Sequence, residues 1–492
     1  MYTFLALAVV FNTVAMSTRA HPSIISRSVL DVCFQIKDAI SPASGVFFPG
    51  APSYLKDISH WASSSSELSP CSVEPGTAED VGIILGILGN TRTPFAVKGS
   101  GHATNPGFSS TSGVHIAMYR FSEVTYDAGT QTAVIGAGLS WDEVYASLVP
   151  QNVNVVGGRL PGVGVAGYSL GGGYSWHSNQ YGLTVDNIVA FELVKPDGSI
   201  VTVTESSDAD LFFALKGGMN NFGIVTRFTL KTFPQGQIWG GVTTFTTLQV
   251  DQVTAAVGKW VATVTDPKAS MVALYNYVAG VIVVVLITFY DGPTLPPAIF
   301  DDFLAIPHLT SDVKTRDFTS FVLSIPSDII QGQRVVWSTV PFLELTPSIL
   351  NAAVNETKFW GSKLSPLASG TYVSYIVEPF LPSILSHNSE SSSAYPPKRD
   401  KVYLPFDISF GWALSPFDDT MHDSIRQSTK HLENLAVTQG QAGVDTASPY
   451  INYAIFDTPV SRIYGDNLGR LQSIKAKVDP DNVMGLAGGF KI

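Results

Sequence analysis

The residues best suited to chemistry in this chain lie in two glycine-rich loops. Eight glycines fall within the 17 residues of 157–173, GGRLPGVGVAGYSLGGG. Residues without a Cβ let the backbone approach a large flat or anionic ligand, and free amides bind phosphate. Within the run, Gly162-Val163-Gly164-Val165-Ala166-Gly167 matches the G-x-G-x-x-G dinucleotide pattern, with Asp186 about 20 residues further on. That pattern needs a strand before its first glycine and a continuous helix after its third. Here Pro161 stands directly before it, and Gly171-Gly172-Gly173 would break the helix. The pattern match is coincidental, but a set of tight turns alone would not need so many glycines.

The second loop is Lys98-Gly99-Ser100-Gly101-His102. A buried strand running into a short glycine turn can cradle a pyrophosphate, and Lys98 adds positive charge. A lone histidine is more often structural than functional. His102 stands apart because the glycines around it let it meet a ligand directly. His177 is a second candidate, whereas His115, His308 and His422 read as structural or exposed.

Alternating helices and strands must position these loops. Thr77-Ala78-Glu79-Asp80 opens a helix whose Val81, Ile84, Leu85 and Leu88 form one apolar face, with Gly89-Asn90 as its stop. A short strand over 94–97 feeds the first glycine loop. Ser140-Trp141-Asp142-Glu143 is a second capping box, and 188–194 and 200–203 straddle the Pro196-Asp197-Gly198 turn. This mixture predicts an α+β domain whose loops carry the chemistry. From about residue 239 to 447, apolar strands and helices alternate without dense glycine loops. The serine-rich stretch 387–398 ends in Pro-Pro and reads as an exposed loop.

At 492 residues, with 45% apolar and 14% charged side chains, the chain predicts two or three lobes with sizeable cores and excludes global disorder. The net charge of −11 and the lack of any basic run exclude a nucleic-acid partner. Nothing in the sequence sets an oligomeric state. Residues 4–11 are an apolar core, and small Thr18 and Ala20 mark a signal-peptide cut before His21. Residues 278–290 are too short and too β-branched to span a membrane and predict a buried strand. No membrane partner is expected. An oxidising compartment lets Cys33 and Cys71 pair, which stabilises by about 4 kcal/mol on the chain-entropy model. Asn355-Glu356-Thr357 is a glycosylation acceptor on the same route.

Taken in order, Val97-Lys98-Gly99-Ser100-Gly101-His102, Gly136-Ala137-Gly138, the 161–173 run and Tyr181-Gly182-Leu183-Thr184-Val185-Asp186-Asn187 resemble the p-cresol-methylhydroxylase-type FAD-binding domain. Lys216-Gly217-Gly218-Met219-Asn220-Asn221-Phe222-Gly223-Ile224-Val225 extends the likeness. Tyr450-Ile451-Asn452-Tyr453 and Val478-Asp479-Pro480-Asp481-Asn482-Val483 look like the terminal segment of the berberine-bridge-enzyme-like branch.

The resemblance implies an α+β fold: a two-lobed FAD-binding domain (21–238), an inserted α+β substrate domain with a helix-covered sheet (239–447), and a segment (448–492) returning to the first domain. It implies FAD contacts at Lys98, Gly99, Ser100, Gly101, His102, Pro161, Gly162, Val163, Gly164, Gly167, Gly171, Gly172, Gly223, Ile224 and Asn452. His102 would bond covalently to the flavin 8α-methyl group. Doubly tethered members carry a cysteine where this chain has Leu160, so one bond is expected. Ser100 replaces a usual glycine. Carbohydrate oxidases of the branch use a tyrosinate base, here matched by Tyr453 with Tyr450 as the alternative. On a regular strand the two tyrosines would face opposite ways, and a phenol needs a positive or hydrogen-bonding neighbour to act as a base. The competing reading makes both core residues.

The expected function is a secreted FAD-dependent oxidase using oxygen. An oxidative cyclase or a carbohydrate oxidase are the alternatives, and a non-catalytic binding protein ranks last. The apolar stretch 278–288 leans toward an apolar or aromatic substrate over a sugar.

Overall fold

The computed structural model describes residues 27–492; the predicted signal peptide, 1–20, lies outside them. A disulfide joins Cys33 on the Arg27–Ala39 helix to Cys71 on the Cys71–Glu74 strand. Cys71–Glu74 belongs to a four-stranded sheet ordered Gly45–Phe47, Cys71–Glu74, Val114–Ala117, Phe95–Lys98. The Ala78–Thr91 helix packs its predicted face inward, with Val81, Ile84, Leu85 and Leu88 fully buried. Thr77 caps it by accepting the Asp80 N–H at 3.1 Å. The helix passes through Gly89-Asn90 and stops at Arg92, which takes the left-handed conformation at φ 51°. Gly89 instead lies close against the C-terminal segment, where a Cβ would sit 3.0 Å from the Val483 side chain.

A second, five-stranded antiparallel sheet runs Val124–Asp127, Thr132–Gly136, Ile224–Lys231, Ile188–Val194, Ile200–Val203. The predicted capping box forms, with the Ser140 N–H donating to Glu143 at 2.8 Å and the Trp141–Leu148 helix following. The helix after Gly164 is only Val165–Leu170, ended by Gly171, as the glycine triplet requires.

An eight-stranded sheet dominates the second half. Residues 269–290 form a hairpin, Ala269–Val278 with Val281–Tyr290, turning at Ala279 (φ 51°) and Gly280 (φ 88°). One face of this sheet lies under the helices Val250–Thr263, Pro347–Leu367 and Asp418–Thr438. There Tyr375 hydrogen-bonds Ser428, and Trp360 packs on Phe410. The other face meets the first half: Phe289 packs on Trp176 and His177, and Val335 and Tyr372 cluster with Ala62. Within the apolar stretch 278–288, Ile282, Val284, Leu286 and Ile287 are buried, Val283 and Val285 are half-buried, and Val278 and Val281 at the hairpin end are exposed.

The C-terminal residues lie against the first half. Ala487 bridges to Phe95, Arg92 donates to the Asp481 carbonyl (2.7 Å), and Asn221 donates to that of Phe490 (3.0 Å). Asp479 of the Val478–Val483 motif accepts the Val483 and Met484 N–H groups at 2.7 and 2.9 Å, which locks the turn. The serine-rich loop is not wholly exposed. Ser393, Ala394, Tyr395 and Pro396 are buried, and Arg399 forms a buried ion pair with Asp186 at 2.7 Å. Among the described residues no helix is long and apolar enough to cross a membrane.

Candidate active site

The Phe95–Lys98 strand delivers the first glycine loop. Lys98 is fully buried, and its ammonium donates to the carbonyls of Asp57 (2.7 Å) and Lys56 (3.2 Å) and to Tyr119 Oη (2.8 Å). Burial pushes its pKa down to about 8. The expectation that Lys98 offers charge to a pyrophosphate is corrected: the side chain turns inward because the fold supplies three acceptors there.

Past Lys98 the loop opens, with Gly99, Ser100 and His102 half-buried. Gly101 takes φ +80°, and its carbonyl accepts the Trp61 N–H at 3.0 Å. Among the described residues, no protein acceptor takes the backbone N–H of Gly99, Ser100 or Gly101. The second loop runs alongside, since a Cβ on Gly164 would come within 2.9 Å of Ser100 N and Oγ. Gly162, at φ +78°, and Gly167 have open space where a Cβ would stand; Pro161 and Val163 are half-buried beside them. A strip of free amides bordered by uncrowded glycines fits an anionic, elongated cofactor such as FAD.

The His102 ring stacks on Trp61 (centroids 4.6 Å, planes 18° apart) and lies 5.6 Å from Trp337. Its Nε2 is buried without a partner. Burial pushes its pKa down to about 4, so the imidazole is neutral at physiological pH, the state in which it is a nucleophile. His177 is instead buried among Phe289, Phe318 and Tyr181.

Four of the expected cofactor residues have structural duties. A Cβ on Gly171 would strike Asn452 at 2.2 Å, and one on Gly172 (φ +113°) would strike Tyr395 at 2.8 Å. Gly223 (φ +139°) lies against the Val194 carbonyl, 2.4 Å from where its Cβ would be, and Ile224 is buried at the start of its strand. Side chains thus crowd Gly171 and Gly172, and backbone crowds Gly223. Asn452 donates to the Tyr168 carbonyl (3.1 Å) and to Tyr450 Oη (2.9 Å).

Residues 450–454 form a turn, not a strand: the Tyr453 and Ala454 N–H groups both donate to the Tyr450 carbonyl at 3.0 Å. The two tyrosines therefore share a side, with ring centroids 4.8 Å apart. Tyr453 Oη lies 2.8 Å from Arg159 Nη2 and donates to Glu378 Oε1 at 3.0 Å. Arg159 Nη2 is also 2.8 Å from each Glu378 carboxylate oxygen. Burial first, then the Glu378 charge, drives the Tyr453 pKa well above its ordinary value, against the opposing pull of Arg159. The resting phenol is thus a neutral donor. Its two polar neighbours are the Glu378 carboxylate, which accepts from it, and the Arg159 guanidinium. Trp337 packs edge-on against Tyr453 (5.8 Å) and also contacts His102, so the tyrosine and the histidine border one region.

Sequence reasoning missed Arg159, Glu378 and the nearby Asp407. A signal existed for each. Arg159 is the only charged residue in the 157–173 run, and both acids interrupt apolar stretches, YIVEPF and LPFDISF. Asn355 is exposed on the Pro347–Leu367 helix, with Thr357 of its sequon buried, beside an open groove of about 500 Å³ lined by Asn351, Glu356 and His431. That groove is on the helix-covered side of the sheet, away from Tyr453.

Residues 70–204 match the family described as FAD binding domain, and 449–487 match that described as berberine and berberine like. An FAD-dependent monooxygenase of Emericella nidulans is 32% identical over 91% of this chain and 95% of its own length. The chain belongs to the berberine-bridge-enzyme-like, p-cresol-methylhydroxylase-type FAD-dependent oxidoreductases. An uncharacterized FAD-linked oxidoreductase of Arthroderma benhamiae is 34% identical over 78% of both chains. Among solved structures, Physcomitrella patens BBE-like 1 superposes with a TM-score of 0.74 at 21% identity, covering 92% of this chain and 97% of that one. The glucooligosaccharide oxidase of Acremonium strictum, whose FAD is described as 6-S-cysteinyl, 8α-N1-histidyl, gives 0.74 at 20% identity with the same coverages. These likenesses show the shared fold.

Proposed function

We propose that this FAD-dependent oxidoreductase is a secreted oxidase of a small organic substrate, with oxygen as electron acceptor. The observation that carries the reading is the buried Arg159–Glu378–Tyr453 cluster, joined through Trp337 to His102. When bound, FAD supplies a two-electron acceptor for hydride from a substrate carbon. The chain's own residues manage the proton. Tyr453 Oη takes it from a substrate O–H or N–H while handing its own to Glu378, as the existing hydrogen bond allows. Arg159 orients Glu378 through both carboxylate oxygens, and the surrounding aromatic rings keep bulk water out.

His102 alone tethers the flavin in this reading. Both cysteines of the chain are consumed by the Cys33–Cys71 disulfide, and Leu160 offers no thiol. The implied organisation is a 21–238 and 448–492 flavin unit into which 239–447 inserts the substrate sheet. Secretion is supported by the 1–20 leader sequence, the disulfide and the exposed Asn355 of the sequon. A mature N-terminus at His21, read by Edman sequencing, is the expected outcome.

The mechanism is tested with Tyr453→Phe, which removes one oxygen and little volume. Peroxide release on a panel of aromatic alcohols and oligosaccharides should fall roughly 100-fold or more, while the flavin spectrum stays intact. Unchanged turnover transfers the role to Tyr450 or to a sheet residue. A second reading, oxygen insertion, is favoured by relatives named as monooxygenases; label from ¹⁸O₂ in the organic product would establish it, and label found only in peroxide would exclude it.

A further inference from the structure

The sheet face turned toward Tyr453 is chemically graded. Strand register aligns Thr244, Val285, Leu274, Ile376, Asp407 and Thr339 in one row across six strands, because each is the direct partner of the next. Directly opposed residues in antiparallel strands point to the same face. Three central members of the row, Val285, Leu274 and Ile376, are apolar and only half-buried. The Asp407 end is polar and closed in: Asp407 is 3% exposed and Thr339 4%.

The next row on the same face adds Ser374, 3% exposed, with Ser409 and Trp337 as successive partners. Asp407 Oδ1, Thr339 Oγ1 and Ser374 Oγ are all buried with no hydrogen-bond partner. Buried polar atoms are almost always paired. Three orphans on adjacent strands of one face mark a place where a ligand's polar group belongs. Ser409 is not available, since its hydroxyl already bonds Tyr372 Oη at 2.9 Å. Glu378 and Arg159 are near enough for their charges to act on Asp407, and burial together with the Glu378 charge favours its neutral acid form. A neutral carboxyl offers both a donor and an acceptor.

We infer that Asp407, Thr339 and Ser374 form the polar end of the substrate site, and that the substrate is an amphiphilic small molecule. Its hydroxyl sits at Asp407, and its apolar body lies over Ile376, Leu274 and Val285. An oligosaccharide would need polar partners along the whole row, and the row is polar at Asp407 and Thr339 and otherwise only at its far edge. The inference rests on the flavin-oxidase reading and deepens it by naming a substrate class.

The test compares 2-naphthol with 2-methoxynaphthalene, which share a body and differ by the O–H donor, alongside cellobiose. Dissociation constants come from the perturbation of the flavin visible spectrum on titration into the holoprotein. Wild type should bind 2-naphthol at least tenfold tighter than the ether, and cellobiose more weakly than either, because a site built for a hydroxyl rejects the analogue that lacks one. Asp407→Leu should bring the naphthol-to-ether ratio within twofold without weakening ether binding. Asp407→Asn, which keeps a donor and an acceptor, should retain most of the preference. Thr339→Val, a near-isosteric change, should lower the ratio severalfold and serves if Asp407→Leu does not fold.

Equal wild-type affinities, no binding of 2-naphthol, tighter binding of cellobiose, or a ratio unchanged in both the Leu and the Val variants would each overturn the assignment. A folded preparation without a flavin spectrum overturns the parent reading instead. The same titrations followed by tryptophan fluorescence then still decide the site.

Discussion

Replacing Arg159 by Met removes the cation from a pair in which nothing else neutralises Glu378. The side chains are 9% and 4% exposed, and one guanidinium nitrogen lies 2.8 Å from both carboxylate oxygens. With charge centres about 4 Å apart and an effective dielectric near 20, the attraction is about 4 kcal/mol. Breaking buried pairs by removing one partner costs about 3–5 kcal/mol, so the two estimates agree. Glu378→Gln alone should cost a similar amount, because it strands the guanidinium with only the Tyr453 hydroxyl. In the double variant Arg159→Met/Glu378→Gln neither charge remains to be desolvated. Its stability should lie close to that of either single variant or above it, giving a coupling of about 3 kcal/mol or more. Urea unfolding of all four proteins, followed by tryptophan fluorescence, measures this coupling. Additive single effects, with coupling under about 0.5 kcal/mol, would falsify the claim that these groups act as one buried unit.

Two further outcomes follow from the first glycine loop and the layer beneath it. Acid precipitation of the wild type should give a yellow pellet, because covalently held flavin survives unfolding, and His102→Ala should give a white one; a yellow mutant pellet places the tether elsewhere. Stability should also fall as pH drops from 6.5 toward 4. His60 and His115 are buried with pKa values lowered by burial to about 4 and about 3, so the unfolded chain takes up their protons first. Asp57, raised by burial to about 7, acts in the opposite sense over that window but offsets only one of the two histidines. His115→Leu should therefore shrink the stability lost between pH 7 and pH 4.5 by roughly 2–3 kcal/mol; an unchanged pH slope in urea midpoints refutes this.

The local elements of the first half were legible because their signals are local. Thr77 announces a helix start through a side chain that accepts the amide three residues away, Ser140 through its pairing with the Glu143 carboxylate, and Pro196-Asp197-Gly198 sets its own hairpin. The two glycine loops could be singled out because missing Cβ atoms are visible in a sequence. The duty of each glycine was not. Gly162 borders open space, whereas Gly171 and Gly223 yield to Asn452 and the Val194 carbonyl. The partner that crowds Gly171 is 281 positions away in the chain.

What the sequence determined by itself was the family, the helix starts at Thr77 and Ser140, the Pro196-Asp197-Gly198 hairpin and the candidacy of His102 and Tyr453, since each depends on residue types at fixed short spacing. Tertiary structure alone decided which way those side chains face and what they meet. Lys98 turns inward because Asp57, Lys56 and Tyr119 offer acceptors there. Tyr450 and Tyr453 share a side because their backbone closes into a turn. Arg159, Glu378 and Tyr453 come from positions separated by as many as 294 residues, and no periodicity links them. Their pairing arises where the eight-stranded sheet of the second half packs against the first half, in a space dry enough that each charge must find the others.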